Sequence, residues 1–321
     1  MSKEITPNPR RNILSQIFIS SNEPRLRAGW RLLLQTGLLG LLLGCLGATF
    51  VALLIFAGVV APDVQEFSTP LLLVLQFIQA FAFIMSVYLA RRFLDRRSFE
   101  SLGLRLSRQA LLDTFTGIGI TFVQMGSIFL LMLGLGWMTF DGFAWQKDSL
   151  TKVFSETLMF LLFFIITGFS EEILSRGYHL QTITSGLNLF WGIFLSSSIF
   201  GLLHFYNPDA TWISTFGIFI AGLFFAFAYL CTRQLWLPIG LHIGWNFFEG
   251  VVFGFPVSGL DVYPLARVDV TGPVLWTGGA FGPEAGLIVL PALILGALLI
   301  YFYTLKRISH GEPQNDIELK Y

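Results

Sequence analysis

Two adjacent carboxylates interrupt an apolar stretch of the sequence. Glu171 and Glu172 come shortly after the run LMFLLFFIIT, and Arg176 follows one helical turn later. In a helix, Glu172 and Arg176 share a face, whereas Glu171 lies about 140° from Arg176 around the axis. This spacing predicts a Glu172–Arg176 ion pair and leaves Glu171 as a free acid or base. The alternative is a solvated helix end at which the arginine neutralises both glutamates.

A histidine in the segment FGLLHFYNPD could act together with the free carboxylate. His204 follows Phe200 by one helical turn, so the aromatic ring can pack on the imidazole. A turn at SGLN, residues 185–188, lies midway between Glu171 and His204. An antiparallel helical hairpin would hold the two side chains at similar depth, about 24 Å from the turn, where they could take a proton from water. The alternative is an ordinary interfacial histidine at a helix end.

A third group of polar residues forms a stripe in the segment LPIGLHIGWNFFEG. His242, Asn246 and Glu249 recur at i, i+4 and i+7, so all three point to one side of a helix that Pro238 could begin. Polar groups on an apolar span must be satisfied inside the protein. The stripe is equally compatible with interhelical hydrogen bonding and with stabilisation of negative charge in a cavity.

These polar groups lie in a chain with the composition of an integral membrane protein. Of its 321 residues, 54% are hydrophobic and 12% are charged, and the mean hydropathy is +0.70. Basic and acidic residues cancel to a net charge of zero, so no global field favours nucleic acid as a partner. Cys45 and Cys231 lie in apolar stretches, as small core residues do. The expected surroundings are a lipid bilayer.

Apolar windows predict an all-α integral membrane protein with a bundle of about eight transmembrane helices. Placing both termini in the cytoplasm puts 17 of the 20 Lys and Arg residues on the inner side, and the expected location is the cell inner (plasma) membrane. A straight helix over 153–185 would be about 50 Å long, so it either projects beyond the bilayer or breaks near Gly168. The predicted spans are 32–60, 69–90, 110–138, 153–170, 188–205, 211–231, 236–255 and 283–304.

The predicted organisation has three parts. Residues 1–31 form a basic N-terminal arm, residues 32–304 form the transmembrane bundle, and residues 305–321 form a cytoplasmic tail. The arm mixes apolar and basic residues, so it either lies on anionic headgroups or serves as a flexible leader that sets topology. A cleavable signal peptide is not expected, because the first apolar run has the length of a full span and no clear cleavage site.

Three motifs occur in order along the chain: EExxxR at 171–176, FxxxH at 200–204 and HxxxN at 242–246. This triplet resembles the CPBP family, the CAAX proteases and bacteriocin-processing enzymes also called the Abi family, which are integral membrane proteases. The resemblance covers residues 168–250, and RLRAGWR at 25–31 is similar to arms of bacterial members. It implies an intramembrane endopeptidase whose site lies inside the helical bundle and whose substrate is a peptide or a membrane-associated protein.

The resemblance also implies a role for each motif residue. Water would be activated by Glu171 with His204, the oxyanion would be stabilised by His242 with Asn246, and the supporting residues would be Glu172, Arg176 and Glu249. This mechanism needs no cofactor. The alternative is a zinc ion held by Glu171, His204 and His242 with water in the open position, although HExxH is absent.

Two other classes of function fit the same residues. A non-catalytic bacteriocin-immunity or scaffold protein of the same fold would use the polar cluster only to stabilise its bundle. A transporter would use the buried carboxylates to carry protons, but the sequence lacks the internal repeats that are typical of transporters.

Overall fold

A computed structural model of the chain describes residues 13–20, 23–59 and 68–309. The helices are α1 (Ile13–Phe18), α2 (Ala28–Phe56), α3 (Thr69–Leu89), α4 (Arg108–Gly134), α5 (Leu150–Glu172), α6 (Gln181–Gly186), α7 (Leu189–Leu203), α8 (Trp212–Thr232), α9 (Trp236–Asn246), α10 (Val274–Thr277) and α11 (Val289–Ser309). π-Helical segments at Ala90–Leu94, Ile173–Leu180 and Phe247–Val252 continue α3, α5 and α9. Two short strands are β1 (Met138–Phe143) and β2 (Ala266–Val270).

Seven helices in the described part of the chain are long and apolar enough to cross a membrane. Their outward faces carry exposed large apolar side chains, such as Leu53 on α2 and Leu130 on α4. An apolar exterior of this kind suits hydrocarbon surroundings. The prediction of an all-α, multi-span membrane protein is therefore confirmed. The seven spans are Ala28–Phe56, Thr69–Leu94, Arg108–Gly134, Leu150–Gly186, Leu189–Tyr206, Trp212–Thr232 and Val289–Lys306.

The remaining predicted span, 236–255, is a short helix at the centre of the bundle. α9 has 11 residues and its π-helical continuation has 6, which together make a helix of about 25 Å. Nearly all of its side chains are buried. α4 runs against it at close range: a Cβ atom on Gly240 would lie 2.1 Å from the carbonyl oxygen of Thr114. The two backbones therefore touch, and the polar stripe on α9 faces protein and not lipid.

The helix that carries Glu171 and Glu172 is continuous. From Leu150 to Gly186 it spans 37 residues, about 55 Å, with a π-helical segment after Glu172 and no break near Gly168. Gly168 does not break the helix but allows close packing, because a Cβ atom there would lie 3.0 Å from the backbone nitrogen of Ile243. Gly168 thus lets α5 approach α9 closely, and of the two alternatives above the structure has the long, unbroken helix.

One end of the bundle is closed by residues 253–288, which we call the ceiling segment. Its strand β2 pairs antiparallel with β1, with Met138 opposite Val270, a small sheet that the span prediction did not include. The backbone of Glu284 packs on α8, where a Cβ atom on Gly217 would lie 2.0 Å from its carbonyl oxygen. The ceiling segment therefore lies against α8, and its Ser258 carbonyl oxygen accepts a hydrogen bond from Asn207 Nδ2, just after α7, at 3.0 Å.

At the other end of the bundle, Asp95 connects the N-terminal arm to the helices. Its buried carboxylate accepts hydrogen bonds from Arg25 at 3.4 Å, from Arg91 at 3.2 Å and from Arg31. Arg31 also donates to Ser185 Oγ at 2.8 Å. The described portion of the arm is therefore held against α3 and α6. Residues 1–12, 21 and 22 of the predicted arm and the tail beyond residue 309 lie outside the described residues.

Candidate active site

Glu172 connects α5 to α9. Its side chain is fully buried, and its Oε1 accepts hydrogen bonds from Arg176 Nη1 at 2.7 Å and from His242 Nδ1 at 2.9 Å. Arg176 Nη2 donates to the carbonyl oxygen of Gly222 on α8 at 3.0 Å. The ion pair predicted from helical spacing is present. The bond to His242 joins two helices that are far apart in sequence, so spacing within one helix gave no sign of it.

Aromatic rings surround the buried arginine. The guanidinium of Arg176 lies 4.3 Å from the ring centroid of Phe200 and 5.0 Å from that of Phe225. Phe225 also stacks on the imidazole of His242, with centroids 5.0 Å apart and an angle of 13° between the rings. Because a ring face attracts cations, these phenylalanines stabilise the charge of Arg176 and fix the plane of His242.

Glu171 faces a cavity together with both histidines. Its Oε2 lies 3.8 Å from Nε2 of His204 and 3.9 Å from Nε2 of His242. This oxygen is shielded from the exterior and has no hydrogen-bond partner among the described residues. The separations exceed a direct hydrogen bond, so an interaction between these groups needs a bridging water molecule. The structure thus brings Glu171 and His204 to one point, as the hairpin argument predicts.

The partners of the ring nitrogens determine how the two histidines face Glu171. Nδ1 of His204 lies 2.8 Å from the carbonyl oxygen of Phe200, which only accepts, so this nitrogen carries a proton. Nδ1 of His242 faces the carboxylate of Glu172 in the same way. In a neutral ring protonated at Nδ1, the lone pair is on Nε2, so each ring has its Nε2 lone pair on the side of Glu171. Phe200 packs on His204 with ring centroids 4.7 Å apart, as predicted.

The cavity has a volume of about 320 Å³. Glu171, His204, His242 and Asn246 all line it, so the structure gathers the four predicted catalytic residues around one space. Asn246 lies one helical turn beyond His242 and is 7% exposed. Its side chain makes no hydrogen bond to the described residues, which leaves its amide N–H groups free to donate to a bound molecule. Apolar side chains also line the cavity, and they include Leu43, Phe83, Phe163 and Phe164.

The ceiling segment contributes a further carboxyl group that the motif search did not find. Glu284 lines the cavity, and its Oε1 and Oε2 accept hydrogen bonds from Trp245 Nε1 at 3.0 Å and Ser258 Oγ at 2.5 Å. Burial raises the pKa of Glu284. Glu249, predicted as a supporting residue, does not line the cavity. It is fully buried, and the charges of Glu249 and Glu284 repel each other. The only sequence signal for Glu284 is an acidic residue in GPEAG, just before the last span.

The zinc set given above as the alternative does not have the spacing of a metal site. Two ligands of a tetrahedral zinc ion lie about 3.3 Å apart when each is about 2.0 Å from the metal. Glu171 Oε2 is 3.8 Å and 3.9 Å from the two histidine nitrogens, and no group of three or more His, Cys, Asp or Glu side chains in the described chain could hold a metal ion. As placed, Glu171, His204 and His242 therefore do not fit a zinc ion.

Residues 153–248 match the family model described as Rce1-like, type II CAAX prenyl endopeptidase Rce1-like. The resemblance to the CPBP family is confirmed. The matched segment runs from α5 to the π-helical end of α9 and contains all three motifs. Rce1-like proteins form a protease family, so the match supports a membrane-embedded hydrolase. No curated protein and no solved structure matches this chain.

Proposed function

We propose that this protein is an intramembrane endopeptidase that hydrolyses a peptide bond in a peptide or a membrane-associated protein. The observation that carries the proposal is the position of Glu171 Oε2, which faces Nε2 of both His204 and His242 inside a cavity of the helical bundle. A general base and hydrogen-bond donors around one enclosed space are the parts that peptide hydrolysis needs. The match of residues 153–248 to a prenyl endopeptidase family agrees with this chemistry.

In the first step, Glu171 activates a water molecule. Water bound between Glu171 Oε2 and His204 Nε2 donates one hydrogen bond to each, and its oxygen attacks the substrate carbonyl carbon. Glu171 takes the proton as the new carbon–oxygen bond forms. His204 is kept in position by its bond to the Phe200 carbonyl and by the Phe200 ring.

In the second step, the tetrahedral intermediate collapses. Its oxyanion accepts hydrogen bonds from the Asn246 amide and, when the His242 ring carries a proton on both nitrogens, from Nε2 of that ring. The carbon–nitrogen bond then breaks, and Glu171 returns its proton to the departing amine, which leaves a carboxylic acid and an amine as products. Glu172 accepts from Nδ1 of His242 and so keeps the ring aimed at the oxyanion.

The proposed mechanism uses no metal. Purified full-length protein, assayed before and after exhaustive chelation, distinguishes it from the zinc alternative. We expect full activity after chelation, whereas loss of activity that added zinc restores would establish a metal enzyme.

The reaction is tested with purified protein in lipid nanodiscs and a panel of internally quenched peptides, some carrying a prenylated C-terminal cysteine. Glu171→Gln and His204→Ala should each reduce cleavage at least ~100-fold, which is the lower range for loss of a general base. Glu156→Gln is the matched control, because Glu156 lies on the same helix and does not line the cavity. It should cleave as the wild type does.

The panel also tests the other candidate functions and the substrate class. Equal cleavage by the wild type and Glu171→Gln, or no cleavage of any peptide, would contradict the endopeptidase and favour the immunity or scaffold protein. Preference for prenylated over unmodified peptides would give this chain the substrate class that the matched family name carries.

We further propose the cell inner membrane as the location of this protein, which membrane fractionation tests.

A further inference from the structure

Two glutamines of α3 line the cavity together with the catalytic group. Gln76 and Gln79 are three residues apart, so they share one face of the helix, and both border the space that Glu171 and His204 also line. Gln76 is 6% exposed. They belong to a helix that carries none of the three motifs, and a search for charged residues inside apolar runs passes over them.

The side-chain amide of Gln76 is not used by the bundle. Its Nε2 is buried and has no hydrogen-bond partner among the described residues. Other buried glutamines bond neighbouring elements through the same atom: Gln35 Nε2 donates to Ser86 Oγ at 3.1 Å, and Gln124 Nε2 donates to the Ala292 carbonyl oxygen at 2.8 Å. An amide inside an apolar bundle without such a bond costs free energy. Gln76 differs from Gln35 and Gln124 in that its donor atom Nε2 is unpaired among the described residues, so this group can donate to a molecule that enters the cavity.

The surroundings of Gln76 narrow the chemistry of that partner. Nε2 donates, so it needs an acceptor oxygen, and no acceptor of the described residues lies within hydrogen-bond distance of it. A peptide main chain offers a carbonyl oxygen and an N–H group at every residue, which matches the donor and acceptor of a side-chain amide. Gln79, one turn away and without a hydrogen bond to the described residues, offers a second amide to the same chain.

We propose that Gln76 and Gln79 bind the main chain of the peptide substrate, with Gln76 Nε2 donating a hydrogen bond to a substrate carbonyl oxygen. This inference rests on the proposed endopeptidase function and adds two side chains of α3 to its substrate site. Hydrogen bonds to the main chain do not depend on the identity of the substrate side chains. Specificity for substrate side chains would then come from the apolar side chains that line the cavity.

The test compares Gln76→Leu with Gln35→Leu in full-length protein in nanodiscs. The probe is a quenched peptide that the wild type cleaves and Glu171→Gln does not. Gln76→Leu should raise KM about tenfold and leave kcat within about twofold, because an interaction made equally in the ground and transition states affects only KM. Gln35→Leu removes an amide of the same size that bonds Ser86 away from the cavity, so its KM should not change.

A modified substrate separates a direct contact from an effect of packing. Peptides in which one carbonyl at a time near the scissile bond is replaced by a thioamide have a weaker acceptor at that position. For the wild type, one such peptide should show a raised KM, whereas Gln76→Leu should cleave that thioamide and its parent peptide with equal KM. Thermal unfolding gives an independent readout: Gln35→Leu should lower Tm and Gln76→Leu should not.

The outcomes distinguish failure of this inference from failure of the proposed function. An unchanged KM in Gln76→Leu, an equal rise in Gln35→Leu, or a thioamide effect that persists in Gln76→Leu would each overturn the inference and leave the endopeptidase in place. If the wild type cleaves no peptide, or if Glu171→Gln cleaves as well as the wild type, the proposed function fails and the inference fails with it.

Discussion

Glu172 Oε1 lies 2.9 Å from Nδ1 of His242, so a carboxylate at the end of α5 holds an imidazole in the middle of α9. The next residue toward the N-terminus, Glu171, faces Nε2 of the same ring at 3.9 Å. Two carboxylates adjacent in sequence thus approach opposite nitrogens of one histidine. The relationship assigns them different tasks, because one is hydrogen-bonded within the bundle and the other faces a cavity.

Removal of Glu172 should destabilise the protein far more than removal of Glu171. Glu172→Gln leaves Arg176 buried without an ionised partner, which typically costs about 3–5 kcal/mol. Glu171→Gln breaks no hydrogen bond to the described residues and should change the free energy of unfolding by less than about 1 kcal/mol. Tryptophan fluorescence during thermal unfolding measures both. Equal loss of Tm in the two variants would contradict the division of tasks.

The close contact between α4 and α9 should make two neighbouring glycines respond in opposite ways. A Cβ atom on Gly117 would lie 2.6 Å from backbone atoms of Leu237 and Leu241, whereas nothing lies within 4 Å of one on Gly119. Gly117→Ala should destabilise by about 1–3 kcal/mol, since backbone cannot move aside cheaply. Gly119→Ala should be neutral or stabilise by up to about 1 kcal/mol through higher helix propensity. Thermal unfolding measures both variants. Similar Tm values for Gly117→Ala and Gly119→Ala would contradict the close contact between α4 and α9.

The contacts of Asp148 should make the ceiling segment sensitive to acid. Hydrogen bonds from Tyr263 and then Lys152 lower the pKa of Asp148 below 3.8. The pKa of Asp148 is lower in the folded than in the unfolded protein. Its contacts therefore stabilise the folded protein fully above pH 3.8, and this stabilisation disappears as the pH falls through the folded-state pKa.

Pepsin, which is active in that pH range, provides the measurement. Cleavage within residues 253–288 of the wild type should increase as the pH falls below 3.8, where protonation breaks the contacts to Tyr263 and Lys152. Asp148→Asn should be cleaved readily at all acid pH values. Identical pH profiles for the two proteins would exclude Asp148 as the acid-sensitive contact.

Asp95 should be essential for holding the N-terminal arm. Asp95→Asn leaves Arg25, Arg31 and Arg91 buried around an uncharged side chain, which we expect to cost about 3–5 kcal/mol. Trypsin should then cut at Arg25 or Arg27 faster than in the wild type. Glu100→Gln, an exposed substitution close by in sequence, serves as the control and should leave the cleavage rate unchanged. Slow cleavage in Asp95→Asn would show that other contacts hold the arm.

Sequence reasoning predicted the parts of the fold and site that depend on helix periodicity. The Glu172–Arg176 pair follows from a spacing of four residues, and the meeting of Glu171 with His204 follows from a hairpin with its turn midway. Apolar windows predicted the seven spans of the described chain, because a helix that crosses a bilayer needs about 20 apolar residues. These features are local, or are connected by one short turn, so the sequence determines them without knowledge of the rest of the bundle.

The remaining features depend on contacts between distant segments. Glu284 reaches the cavity from a segment that folds back over α8 and α9, and no periodic pattern predicts the path of such a segment. Gln76 comes from a helix whose position relative to α5 is set by packing. The role of Gly168 also depends on the position of α9, because a glycine in a helix can equally indicate a break or a close approach.

The π-helical segment after Glu172 makes the number of residues there as important as their identity. A π-helical turn holds one residue more than an α-helical turn, and such turns are frequent at functional sites. Deleting one residue between 177 and 180 would let the helix relax to regular α-geometry, and α5 and α6 would keep about the same rotation because the lost residue and the lost wide turn offset each other. Relaxation to α-geometry without a deletion would instead rotate α5 by about 100° relative to α6 and turn Glu171 away from the cavity, with every motif residue still in the chain. Homologous chains that lack one residue in this interval are therefore expected to have a regular α-helix there and to keep Glu171 at the cavity.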